Sequence, residues 1–394
     1  EDQGSALPPS PGRDRVNLTE RLAAPTQRRL GWNPALDGAR GVSVLLVMSF
    51  HFLVQMTDKL DGTPILVDMF FVLSGFLITT LLFEERAAKG SISLRAFYLR
   101  RVFRLFPAVY ALLGVFTLFA LVAGGENRGR LLAEALTAGL YVYDLFVAWV
   151  GVEGQVLIQL WTLSLEEQFY FVWPLILIGA MAAGRRRMPA LIAAMCAFVI
   201  LMPALRLGLE PELGARNLES FVFGLTIMRP DSLVLGCLAA ILFRAESTLD
   251  SPALQRWLPV AGRVALVMYA ASFLLGLFTP FEPFISVFYN LTVLAMPFFV
   301  LDMVRRPDSQ VARFLSQPRW TWFGKRSYGI YIWHLLVYFP IQAFFNDVFA
   351  GRTKLATVAA FPFSVAVTIG VAVLSWNYIE TPALRVKQRY SRND

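Results

Sequence analysis

Apolar residues along this chain collect in ten blocks, at about 41–57, 65–83, 105–123, 168–184, 189–205, 228–243, 258–279, 284–302, 327–345 and 357–377. Most approach the roughly 20 residues that a helix needs to cross the hydrocarbon of a bilayer. The stretches between the blocks carry most of the charge. The pattern predicts an all-α protein, a polytopic transmembrane bundle of about ten spanning helices. One further apolar stretch, 131–150 (LLAEALTAGLYVYDLFVAWV), does not fit that count.

Charge sets the expected topology. Ten crossings put both termini on one side, and that side then collects 27 Lys and Arg against 7 on the other. Cytoplasmic loops are the ones enriched in these residues, so both termini are expected in the cytoplasm. A full crossing by 131–150 would move every later loop to the opposite face and reverse the bias downstream. That segment is therefore expected to be re-entrant, interfacial or packed in the bundle without crossing. Residues 1–36, polar and rich in Pro and Arg, are read as a flexible cytoplasmic tail, 37–382 as the membrane domain and 383–394 as a second cytoplasmic tail.

Composition sharpens the exclusions. The chain is 56% hydrophobic and 16% charged, whereas soluble domains are about 45–50% apolar and about 25% charged. A soluble enzyme, a disordered chain and a disulfide scaffold are excluded. The net charge of +8 would suit nucleic acid in a soluble protein; here it is a topology signal, and the expected partner is the lipid bilayer. Cys196 and Cys237 both lie in apolar runs and suggest neither a disulfide nor a Cys-rich metal site. The chain shows no P-loop, dinucleotide fingerprint or metal-ligand spacing, so no metal is expected.

The candidate chemistry lies inside the apolar blocks, where ionisable groups are costly and mark function by default. The chain has only two histidines, His51 and His334, and both are in such blocks. Arg40 precedes His51 by eleven residues, about three helical turns and roughly 16 Å. Both then face one way, the arginine at the cytoplasmic edge and the imidazole at depth. This arrangement suits a ligand with an anionic head and a reactive tail. His334 follows Arg326 by eight residues and is either a second active-site group or a structural hydrogen-bonding residue.

Arg101 and Arg104 share a helical face. They suit forked phosphate binding or a positive-inside anchor. Glu166 and Glu167 are expected at the outer mouth of a span, where a carboxylate could orient or deprotonate a hydroxyl. Ser74 and Gly75 form a small-residue site where a helix or a thin ligand could come close. Arg229 and Asp231 suit a local ion pair.

Quoted in order, LDGARGVSVLLVMSFH, DMFFVLSGFLIT, RRVFR, WTLSLEEQFYFVWP, MRPDSLVLG, SYGIYIWH and YIETP resemble the signatures of the acyltransferase 3 family of membrane acyltransferases. They run from Asp37 to Pro382, through Glu380. Thr162 stands where the family usually has Ser. The resemblance implies a multi-pass enzyme of the bacterial inner (cytoplasmic) membrane. It would move an acyl group, acetyl above all, from cytoplasmic acyl-CoA to a hydroxyl of a cell-envelope glycan or glycolipid, without a fused SGNH domain. His51 would be the general base or a transient acyl carrier, with Glu166, Glu167 and His334 as further catalytic candidates. Arg40, Arg101, Arg104, Ser74 and Gly75 would bind the acyl-CoA. The rival reading from another class is a transporter or flippase that uses the same intramembrane charges without acyl transfer.

Overall fold

A computed structural model describes residues 29–53, 65–150, 154–182, 186–213, 230–245, 250–278 and 283–390. Arg229 and most of the first tail lie outside these residues. The regular elements among the described residues are all helical, with no strand. The first half of the chain forms α1 (Pro34–Leu53), α2 (Ile65–Lys89), α3 (Leu94–Ala123), α4 (Arg128–Gly139), α5 (Tyr143–Val150), α6 (Leu160–Ala182) and α7 (Arg187–Leu213). The second half forms α8 (Pro230–Arg244), α9 (Pro252–Phe278), α10 (Pro283–Arg305), α11 (Gln310–Leu315), α12 (Pro318–Val348) and α13 (Thr353–Ser375). A π-helical turn, Trp376–Glu380, then leads into α14 (Thr381–Tyr390), which carries the helix into the segment read as a tail.

Among the described residues, eight helices are long and apolar enough to cross a membrane. The ten expected blocks include two more helices, and each differs for a physical reason. In α6, Glu166, Glu167 and Gln168 lower the mean hydropathy. α8 has 15 residues, about 22 Å of helix against a hydrocarbon core of about 30 Å. Residues 131–150 do not form one long helix. α4 and α5 have 12 and 8 residues, and the break between them falls at Tyr141, a non-glycine residue at φ 56°. Large apolar side chains such as Leu118, Val122, Phe171 and Ile200 point outward from the bundle, as lipid-facing surface does and a soluble surface of this extent does not.

Glycines set the closest helix contacts. A Cβ on Gly41 of α1 would collide with the Trp320 carbonyl of α12, and one on Gly324 of α12 with the Asp37 carbonyl of α1. The two backbones therefore touch, as small residues permit in membrane bundles. The α1–α12 pairing keeps one offset of 283 residues from Gly41 and Gly324 to His51 and His334, so the helices run parallel. α2 and α8 make a second parallel pair. Gly75 abuts the Leu233 carbonyl, Gly236 abuts the Val72 carbonyl, and Ser232 donates to Asp68. α6 also runs parallel to α2, through Phe71 with Trp161, Ser74 with Glu166 and Thr79 with Trp173.

Candidate active site

The parallel α1–α12 seam brings the two histidines together. His51 Nδ1 lies 3.0 Å from His334 Nε2, and the rings are stacked with centroids 5.0 Å apart. His334 is fully buried, and its Nδ1 lies 2.5 Å from the Tyr331 carbonyl. A carbonyl oxygen only accepts, so His334 Nδ1 carries the hydrogen. In the neutral ring Nε2 then offers a lone pair, and His51 Nδ1–H donates to it. The chain of bonds leaves His51 Nε2 unprotonated, the tautomer of a base held by a partner at its other nitrogen.

The start of α6 is laced to this pair. Tyr331 OH donates to the Gln159 carbonyl at 2.8 Å and meets the Thr162 hydroxyl at 2.5 Å, while Gln159 Nε2 donates to the Ile332 carbonyl at 2.9 Å. Residues 154–157 are clamped in turn by α4. The buried Glu134 carboxylate accepts from the backbone N–H groups of Val156 and Leu157 and from Tyr143 OH, at 3.1 to 3.2 Å. Burial holds the Glu134 carboxyl above the ordinary carboxylate range, against the opposing pull of those donors and of Arg130. Arg130 adds a bond to the Gly154 carbonyl at 2.7 Å.

The glutamates do not occupy an outer mouth apart from the arginines. α6 begins at Leu160, inside the bundle beside Tyr331, and its next turn carries both carboxylates to the arginine-bearing helix. Glu166 accepts from Ser74 Oγ and from Tyr170 OH, the latter at 2.5 Å. The Arg101 guanidinium lies over the Tyr170 ring, 4.5 Å from its centroid. Glu167 is within electrostatic reach of Arg101 and Tyr141. Of the two occupants expected beside Gly75, a helix or a thin ligand, the structure shows the helix: the α8 backbone fills the space its missing side chain leaves. Ser74, buried beside it, turns its hydroxyl to Glu166.

Arg104 lies within electrostatic reach of Arg40, Arg101 and Glu380, so α1, α3 and the π-helical turn meet in one charged cluster. Glu380 is buried, accepts from Ser375 Oγ at 3.1 Å, and lies within electrostatic reach of Arg104 and Arg326. The π turn that presents Glu380 is a distortion seen often at functional sites. Glu380, Arg326, Tyr331 and Tyr170 were not among the expected site residues. Glu380 lies in a quoted motif, and Arg326 enters the sequence reading as an inside positive charge and as the residue eight positions before His334. Helical rise separates Arg40 from His51 by roughly 16 Å and Arg326 from His334 by roughly 12 Å. Arg40 and Arg326 therefore lie at a different level from the imidazole pair along the parallel helices α1 and α12.

The chain is similar to several curated proteins. The peptidoglycan O-acetyltransferase OatA of Listeria monocytogenes is 28% identical over 362 residues, covering 89% of this chain and 55% of the relative. A Bacillus subtilis protein named "Putative peptidoglycan O-acetyltransferase YrhL" is 28% identical over 89% of this chain and 54% of its own length. A Staphylococcus aureus protein named "Putative O-acetyltransferase" is 29% identical over 90% of this chain and 58% of its own. The chain thus spans a little over half the length of these relatives. No solved structure matches it. The acyltransferase 3 model, described as "Acyltransferase domain", matches residues 33–377, and the chain belongs to that family of membrane acyltransferases.

Proposed function

We propose that this protein transfers an acetyl group from cytoplasmic acetyl-CoA to a hydroxyl of a cell-envelope carbohydrate, with His51 as general base. The observation that carries this reading is the hydrogen-bonded His51–His334 pair, whose helix α1 also carries Arg40 into a cluster of guanidinium groups with Arg101 and Arg104 of α3. Arg40, Arg101 and Arg104 hold the donor's phosphates through forked, charge-assisted bonds. The flexible pantetheine arm then leads the thioester towards His51.

The chemical step uses one proton. His51 Nε2 takes it from the acceptor hydroxyl as the oxygen attacks the thioester carbonyl. The tetrahedral adduct collapses, the C–S bond breaks, and the CoA thiolate recovers the proton. His334 Nε2 accepts from His51 Nδ1–H throughout and keeps the ring in one orientation. General-base catalysis of this kind is worth about 10²- to 10⁴-fold. The names of the Listeria and Bacillus relatives favour peptidoglycan as the acceptor class.

The topology that serves this reading has ten crossings and cytoplasmic termini. Its support is the charge bias together with helix direction. α6 runs parallel to α2, so a crossing by α3 leaves α4 and α5 making no net crossing between them. α8 is parallel to α2, and α12 to α1, as second, sixth, first and ninth crossings require.

The test uses detergent-purified protein with acetyl-CoA and solubilised peptidoglycan fragments. Wild type is expected to release CoA thiol and to acetylate the fragments, and His51→Ala to do neither. Full turnover by His51→Ala would remove the base role. Wild-type protein that moved glycan across proteoliposomes without consuming acetyl-CoA would replace this reading by the transporter.

A further inference from the structure

Arg326 is a cation beside the charged cluster that the donor reading does not use. It lies on α12, eight residues before His334, and its guanidinium is packed against two tryptophans. Its Cζ is 4.1 Å from the ring centroid of Trp322 and 5.6 Å from that of Trp376. One nitrogen, Nη1, donates to the Trp322 carbonyl at 3.2 Å. Among the described residues its Nε is buried without a hydrogen-bond partner, and so is the Nε of Arg40.

The charges around it do not balance. Arg101 has Glu166 and Glu167 nearby, through Tyr170 and within electrostatic reach. Glu380 is within reach of both Arg104 and Arg326, and Arg104 also faces Arg40. One buried carboxylate thus faces two guanidinium groups, from α3 and α12, and the first of these also faces the Arg40 guanidinium of α1. Clustered, partly desolvated cations with unpaired donors are costly unless an anion joins them. The tryptophan packing fixes the plane of Arg326, so little side-chain entropy is lost when its fork closes on an oxyanion.

We propose that Arg326, held between Trp322 and Trp376, completes a phosphate subsite shared with Arg104 and Arg40 and binds the phosphorylated nucleotide end of the acyl donor. The proposal rests on the acyl-CoA reading and adds to it a specificity residue for the nucleotide end of the donor. Hydrogen bonds to charged groups are worth enough that losing this one weakens the donor about tenfold or more.

The experiment compares wild type, Arg326→Gln and Arg326→Lys with two donors. One is acetyl-CoA; the other is S-acetyl-pantetheine, which carries the same thioester without phosphate or nucleotide. Arg326→Gln is expected to raise the KM for acetyl-CoA about tenfold or more, to leave kcat within about twofold, and to leave KM for S-acetyl-pantetheine unchanged. Arg326→Lys is expected to fall between Gln and wild type. An unchanged acetyl-CoA KM in Arg326→Gln overturns the subsite. Equal weakening of both donors also overturns it, because that marks a structural role. Wild-type protein that turns over neither donor overturns the acyl-CoA reading itself.

Discussion

Replacing Gly324 by alanine perturbs the site without touching any side chain in it. The added methyl would lie well inside contact distance of the Asp37 carbonyl. Carbon atoms settle at about 3.5–4.0 Å, so α1 and α12 must part by on the order of 1 Å. The obstacle is backbone, and no side-chain rotation relieves it. His51 and His334 lie fourteen and ten residues further along α1 and α12, roughly 21 Å and 15 Å away. A shift of that size carried along the seam takes their 3.0 Å bond beyond hydrogen-bonding range. Misplacing a catalytic group by about 1 Å can cost about 10²-fold in rate, while overpacking itself costs about 1–3 kcal/mol. Gly324→Ala should therefore lose about 10²-fold in kcat while still purifying as a monodisperse membrane protein. Gly370→Ala is the control, since no described residue lies within 4 Å of the Cβ it would add. Steady-state acetyl-CoA turnover, with thermal unfolding in detergent, reads both variants. Wild-type kcat in Gly324→Ala would refute the claim that the glycine seam sets the imidazole geometry.

His334→Ala removes the acceptor that fixes the His51 tautomer; kcat should fall by about 10²-fold or more with the donor KM unchanged, and equal kcat would reduce His334 to packing. Glu134→Gln replaces the charged acceptor of the Val156 and Leu157 N–H groups; it should lower stability by about 1–3 kcal/mol and slow turnover, and a variant matching wild type in both would dismiss the clamp. For topology, Arg186→Cys in a background lacking Cys196 and Cys237 should react with a membrane-impermeant maleimide only after cells are permeabilised. Labelling of intact cells would reverse the orientation.

Much of this architecture is legible from apolar periodicity, because each block long enough to cross is a local signal. The two histidines are equally legible as buried and rare. Their contact is not, since it joins residues 283 positions apart and depends on Gly41 and Gly324, which periodicity treats as ordinary small residues. Gly75 shows the ambiguity from the other side. A small residue within a span reads equally well as ligand space or as helix contact, and only the position of the α8 backbone decides between them.

The glutamates show why depth is the hardest coordinate to read. An apolar block at 168–184 suggests that the residues before it belong to the membrane surface. That inference fails where a helix starts inside the bundle. Glu134, Gln159 and Tyr331 supply the polar partners that let 154–160 enter the protein interior, where irregular backbone survives only if its groups are bonded. α6 then begins beside the imidazoles and delivers Glu166 to Ser74, Tyr170 and Arg101. The short α4–α5 pair thus supports the site. By clamping the entry to α6, it helps bring acidic and basic residues together.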